Sequence, residues 1–281
     1  LEVTVTPPAS TLAPETARRL LDELFAVEDP EPVGDVRDFE LDGPGGPVPV
    51  RVYTPPAEPP HPTLVYFHGG GWLRGSIEGY DGLCRLFCAE SECAVVSVDD
   101  RLAPEHPFPA GFEDCYAATT WAVDNAADLT FDPDRIAVGG DSGGGNLAAA
   151  VALAARDRNG PDLAYQLLIY PAVVAPSLRR FDSYEENAEG YLLEMESVEY
   201  YYDRYVQSPA HLGNAYLSPL VARTLEGLPP ATVLTGGFDP LRDEGAAYAD
   251  RLTAAGVNVE HHHYPAQIHA FVSLFEQFDA G

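Results

Sequence analysis

A glycine-rich corner in the middle of the chain limits what the rest can be. Residues 135–138 form an apolar run that reads as a buried strand, and residues 147–156 an Ala-rich run that reads as a helix. Gly139-Gly140-Asp141-Ser142-Gly143-Gly144-Gly145-Asn146 joins them, and Gly140 to Gly144 fits the pattern G-x-S-x-G. A strand that reverses this sharply into a helix holds its apex residue in strained backbone and brings the neighbours against other chain, so glycines flank the serine. The helix aims its unbonded N–H groups and its positive end back at the apex, where negative charge developing on a reacting oxygen is stabilised. In a strand–turn–helix setting this pattern is a nucleophile elbow. A glycine-rich turn that merely ends a strand reads the same over these few residues, so the partners of Ser142 decide between the two.

The surrounding pattern is α/β. Residues 36–41 and 48–53 alternate in polarity and are joined by Gly43-Pro44-Gly45-Gly46-Pro47, which predicts a hairpin. From there strands are expected at 63–67, 94–98, 135–138, 165–170, 231–235 and 257–264. Helices are expected at 80–90, 112–127, 147–156 and 242–255, with a closing helix from about residue 270. Such alternation implies one domain built on a mostly parallel sheet with helices on both faces, its ligand site at the carboxyl ends of the strands. Two segments stand outside the alternation. Residues 11–27 read as an amphipathic helix with no strand partner, and residues 176–213 are polar, Tyr-rich and helical around 195–205. With residues 1–32 the second segment is expected to form a helical cap over the sheet's upper edge.

A serine hydroxyl needs a base, and the base needs an acid to orient it. Asp239 follows the strand at 231–235 and His269 follows the strand at 257–264, so both fall on the same sheet edge as Ser142, in the chain order Ser, Asp, His. Alone, Asp239 before Pro240 reads as a helix N-cap and His269 as a surface histidine; together with Ser142 they form a triad. His68-Gly69-Gly70-Gly71-Trp72 directly follows the strand at 63–67. A glycine run there turns backbone N–H groups into the cleft, and with the N–H of Gly143 it makes an oxyanion hole. A phosphate-binding loop is the competing reading of the glycines, but no G-K-[ST] follows. Trp72 is expected to line the substrate pocket.

These motifs, with Arg101-Leu102-Ala103-Pro104-Glu105-His106-Pro107-Phe108-Pro109-Ala110 and Asp239-Pro240-Leu241-Arg242-Asp243-Glu244, resemble the hormone-sensitive-lipase-like carboxylesterases from about residue 48 onward. The resemblance implies the α/β-hydrolase fold, a Ser142–His269–Asp239 triad, oxyanion N–H groups from Gly70, Gly71 and Gly143, and esters of short to medium acyl chain as substrates. It also implies a homodimer built through the C-terminal strand and helix. Gly143 stands where the family has Ala, Asp100 where it has Tyr, and Ala266-Gln267-Ile268 where it is richer in Gly and Met; none of these removes a catalytic atom. The Arg101 motif reads as structural, with Arg101 holding carboxylates such as Asp99. No metal or organic cofactor is needed for this chemistry. An amidase or peptidase on the same fold and a non-catalytic binding module are the rivals, and the presence of His269 argues against the second.

Charge adds a separate constraint. The chain carries 44 acidic and 16 basic residues, a net charge of −28, and every basic residue is Arg. Such self-repulsion destabilises the compact state until salt screens it, at a Debye length of roughly 3 Å in 1 M salt. A carboxylate surface without lysine therefore reads as adapted to high salt, as in haloarchaea, and excludes nucleic acid as a partner. Cys84, Cys88, Cys93 and Cys115 form no C-x-x-C pair and read as free thiols, which with the lack of a leader-like opening stretch suits a cytoplasmic setting. No apolar run approaches the roughly 20 residues of a membrane span. His261-His262-His263 places His261 and His263 on one strand face, with no carboxylate or Cys tied to them to complete a metal site.

Overall fold

A computed structural model describes residues 8–277. Its centre is an eight-stranded sheet in the order β1-β2-β4-β3-β5-β6-β7-β8. The strands are β1 (Asp35–Gly43), β2 (Gly46–Thr54), β3 (His61–Phe67), β4 (Ala94–Val98), β5 (Phe131–Asp141), β6 (Tyr165–Ile169), β7 (Ala231–Phe238) and β8 (Val259–Ile268). The expected hairpin pairs β1 antiparallel to β2, which runs antiparallel to β4. Every other pairing is parallel. This is the α/β-hydrolase arrangement. The central strands are covered on both faces, so they read as continuous apolar runs: all five residues of β4 are buried. At the far edge, β8 is exposed from residue 260 to 266.

Helices α2 (Asp81–Ser91), α3 (Ala110–Asp124), α4 (Gly143–Asp157) and α7 (Arg242–Ala254) fall close to where periodicity places them. The sharpest difference is at α4. It begins at Gly143, four residues before the Ala-rich run, because the fold and not helix propensity decides there. Residues from Gly143 to Ala155 are all buried, so α4 passes through the core, and its alanines let it lie close against the sheet.

The predicted closing helix is not formed among the described residues. Residues 270–277 are turns, with a single α-type bond from the Leu274 N–H to the Ala270 carbonyl. Ala270 takes a left-handed φ of 67°, and the Ser273 N–H goes to the Tyr170 hydroxyl, which breaks the helical ladder. The rest of that expectation lies outside the described residues, as do residues 1–7 of the expected cap.

Helix α1 (Pro14–Phe25) and the segment with α5 (Ser183–Glu186) and α6 (Met195–Tyr205) pack onto the body. Leu21 and Phe25 of α1 join a cluster with Tyr53, Tyr66 and Tyr80, while Val198, Tyr201, Tyr202 and Tyr205 of α6 join the main core. Arg18 ties α1 to the loops below it. It donates to the carbonyls of Leu73 (2.9 Å) and Ala103 (3.1 Å) and pairs with Glu105 (2.6 Å).

Candidate active site

Ser142 is the residue between β5 and α4, with φ 55° and ψ −116°, the strained apex expected of an elbow. Close approach explains the glycine at position 144: a β-carbon there would sit 1.9 Å from the Phe67 carbonyl oxygen at the end of β3. Asp239 follows β7 and His269 follows β8, and the parallel strands deliver both to the Ser142 end of the sheet. The His269 Nε2 lies 2.9 Å from the Ser142 Oγ, and its Nδ1 lies 2.7 Å from the Asp239 Oδ2. Asp239 is fully buried, and its other oxygen accepts the Leu241 N–H at 2.8 Å. The three residues singled out from chain order therefore form one hydrogen-bonded line.

Sequence reasoning missed the residues that brace this line. Asn187, from the segment between β6 and β7, donates to the carbonyls of Asp239 (3.1 Å) and Gly237 (3.3 Å). Tyr170 sets its ring 4.7 Å from the His269 ring. Asp141 has the largest role. Its buried carboxylate accepts the Tyr66 hydroxyl (2.8 Å), the Gly69 N–H (2.9 Å), the Tyr80 hydroxyl (3.0 Å) and the Ser273 hydroxyl (3.1 Å). One side chain thus links the elbow, the glycine loop and the segment after His269. Burial raises the Asp141 carboxyl above its ordinary range, opposed by the Tyr66 and Tyr80 hydroxyls and by His269. The only hint in the sequence was an acidic residue inside the elbow itself.

The glycine loop lies beside Ser142. Gly71 (φ 67°) is pressed under α6, where a β-carbon would come within 2.5 Å of the Tyr201 ring. Gly70, Gly71, Ser142 and His269 line a cavity of about 750 Å³, walled by apolar groups such as Leu21, Leu24 and Phe25 from α1 and Leu193 and Tyr201 from the later segment. Gly143 faces the loop: a β-carbon on it would lie 3.2 Å from the Trp72 nitrogen and 3.3 Å from the Gly71 nitrogen. Trp72 is not in the wall of the large cavity. It borders a small adjoining recess with Ser142 and Gly143, stacked on Tyr205 at 4.6 Å.

Behind the loop, buried Asp100 places its Oδ1 3.6 Å from the His68 Nε2. Burial pushes Asp100 up to about 7, against the pull of His68. Arg101 holds Asp114 rather than Asp99, through Nε (2.7 Å) and a terminal nitrogen (2.8 Å), because Asp114 on α3 presents both oxygens to the guanidinium. His261 and His263 do share a face, and both reach the Thr235 hydroxyl, at 3.0 and 3.1 Å. All four cysteines are free; Cys84, Cys88 and Cys115 are buried and Cys93 partly so.

Glu244 is a further buried carboxyl that the sequence did not flag. It accepts the Val173 N–H at 2.6 Å and the Tyr184 hydroxyl. Burial pushes it up to about 8 from an ordinary 4.5. A group raised on folding binds its proton more tightly in the native state, so its stabilising contribution is full below 4.5 and is lost as pH rises through about 8. Glu244→Gln is expected to flatten the pH dependence of unfolding free energy across that window, by up to about 1.4 kcal/mol per pH unit. Urea unfolding of both proteins at constant KCl checks this, and parallel profiles would refute it.

Known proteins agree with this picture. A family model described as the alpha/beta hydrolase fold matches residues 64–273. The carboxylesterase NlhH of Mycobacterium tuberculosis is 45% identical over 231 residues, spanning 81% of this chain and 72% of that protein. The carboxylic ester hydrolase LipN of the same organism is 42% identical over 257 residues, spanning 89% of this chain and 68% of that one. EstE1, a thermophilic and thermostable carboxylesterase cloned from a metagenomic library, superposes with a TM-score of 0.92 at 40% identity, covering 97% of this chain and 94% of that structure. Among the described residues no helix is long and apolar enough to cross a membrane. With homology over most of its length and an uninterrupted Ser–His–Asp hydrogen-bond line, the chain belongs to the hormone-sensitive-lipase-like family of α/β hydrolases and is a carboxylesterase.

Proposed function

We propose that Ser142 is the nucleophile, His269 its general base and Asp239 the acid that holds the imidazole in the productive tautomer. The observation that carries this reading is the continuous hydrogen-bond line from the Ser142 Oγ through His269 to Asp239, at 2.9 and 2.7 Å. Ser142 attacks the ester carbonyl while His269 takes its proton. The oxyanion accepts backbone N–H groups of Gly70, Gly71 and Gly143, whose nearness to one another and to Ser142 supports that role. His269 then protonates the departing alcohol, and water cleaves the acyl-enzyme by the same route. Only neutral His269 serves as base, so kcat/KM is expected to fall in acid solution. A pH–rate profile flat down to pH 4 would exclude it.

The substrates in this reading are esters of short to medium acyl chain. A cavity of about 750 Å³ with apolar walls supports it, since small-molecule sites usually span roughly 300–1,000 Å³. Residues 8–32 and 176–213 act as the cap, supported by the packing of Leu21, Phe25 and Tyr201 around that cavity. Hydrolysis rates for p-nitrophenyl esters from acetate to dodecanoate in multimolar KCl test the range; a rate maximum at dodecanoate would refute it.

The acidic, lysine-free composition supports adaptation to concentrated salt, and the free thiols a cytoplasmic setting. The protein is expected to lose its near-UV circular dichroism on dialysis from 3 M KCl to dilute buffer, as the −28 charge loses its screening. Retained signal and activity without salt would sink this part of the reading. The exposed edge strand β8 supports a homodimer through that edge. Sedimentation at working concentration tests it, a monomer being the contrary result.

A further inference from the structure

Among the described residues, ten of the sixteen arginines lie within 4.0 Å of a carboxylate, as expected where acidic residues number 44. Arg74 is not among them, although it lines the same cavity as Ser142, Gly70 and Gly71. Its guanidinium carbon sits 5.1 Å from the centroid of the Tyr201 ring, and one terminal nitrogen donates to the Tyr201 hydroxyl. That ring lies against Gly71, so the cation stands one aromatic ring away from the proposed oxyanion site. The Arg74 Nε is closed to solvent and has no hydrogen-bond partner among the described residues. Glu194 also borders the cavity, but it accepts the Gly190 N–H at 3.1 Å and lies beyond 4.0 Å from Arg74.

A guanidinium carries five donors in a planar fork. Of these, Nε is closed off and unmatched among the described residues and one terminal nitrogen is on Tyr201, which leaves the remaining terminal donors open to the cavity, where a ligand anion can accept them. In a chain this rich in Asp and Glu, the missing partner is not a matter of supply. An aromatic face steadies the fork without consuming its donors, and a carboxylate is the anion that matches its geometry two bonds at a time.

We infer that Arg74 is a specificity-determining residue that binds a carboxylate on the substrate. The preferred esters are then monoesters of short dicarboxylic acids or esters of short hydroxy acids, with the free carboxylate a few bonds from the scissile carbonyl. The inference rests on Ser142 acting as nucleophile at this cavity. In a protein of charge −28, a cation at the site also offsets the repulsion an anionic substrate meets on approach.

The test compares near-isosteric esters in one multimolar KCl buffer by pH-stat. Monoethyl glutarate is set against ethyl pentanoate for a carboxylate on the acyl side, and 3-acetoxypropanoate against butyl acetate for one on the alcohol side. At least one anionic ester is expected to exceed its neutral counterpart in kcat/KM by about tenfold, mostly through KM. Arg74→Gln is expected to collapse that ratio. Tyr201→Phe, which removes the hydroxyl contact and keeps the cation, retains it. A ratio that survives Arg74→Gln, or neutral esters cleaved with no anionic preference, overturns the inference and leaves the Ser142 reading standing. No turnover of any of the four esters by folded protein overturns both.

Discussion

Ser142→Ala is expected to lower kcat for p-nitrophenyl acetate by about 10⁶-fold, and Asp239→Asn by about 10⁴-fold. The two differ because they remove different things. Without the Ser142 hydroxyl no acyl-enzyme forms, and only the oxyanion donors and substrate binding remain. The Asn at position 239 keeps the shape but presents the wrong group to the His269 Nδ1, which now lies 2.7 Å from a carboxylate oxygen. The fold should tolerate both changes. The Ser142 backbone is held through its own N–H to the Ile169 carbonyl (2.9 Å) and through its carbonyl, which accepts the Asn146 N–H (3.0 Å), and neither bond uses the side chain. Circular dichroism in KCl should therefore match wild type. A folded Ser142→Ala protein with more than a few per cent of the wild-type rate would refute the nucleophile assignment.

Gly144→Ala is expected to destabilise the protein by more than about 4 kcal/mol, enough to prevent recovery of folded enzyme. The added β-carbon would lie 1.9 Å from the Phe67 carbonyl oxygen and 2.6 Å from that of His68. The nearer oxygen belongs to the last residue of β3, which is registered on β5 through Phe67 and Gly140, and the other to the residue after it, so the strand end cannot retreat without breaking the sheet beside the elbow. The gain of about 1 kcal/mol that Ala brings over Gly in a helix is far too small to compensate. One residue earlier the outcome differs. A β-carbon at Gly143 meets nothing nearer than the Trp72 nitrogen at 3.2 Å, so Gly143→Ala should alter stability by no more than about 1 kcal/mol. The yield of folded protein for each variant, with thermal melts of whichever folds, in the same KCl buffer checks the contrast. Similar melting temperatures for the two variants would show that the close approach at Gly144 is not what requires glycine.

The amino-acid sequence by itself determined the order of strands and helices, the β1–β2 hairpin and the sheet edge that carries Ser142, Asp239 and His269. These features are local or follow from chain order. Hydrophobic periodicity marks a buried strand, and a parallel sheet must deliver its strand ends to one side. The tertiary structure alone decided the remainder. Asp141 gathers donors from Tyr66, Gly69, Tyr80 and Ser273, and Asn187 reaches the Asp239 loop from a segment the alternation does not explain. The Ser273 N–H leaves a would-be helix for the Tyr170 hydroxyl, and Arg74 lines the cavity with no carboxylate of the described residues within 4.0 Å. The partners in these contacts lie far apart along the chain. No short window of sequence records which buried donor will meet which buried acceptor, because that is settled by packing between segments far apart in the chain, where leaving a buried polar group unmatched is unfavourable.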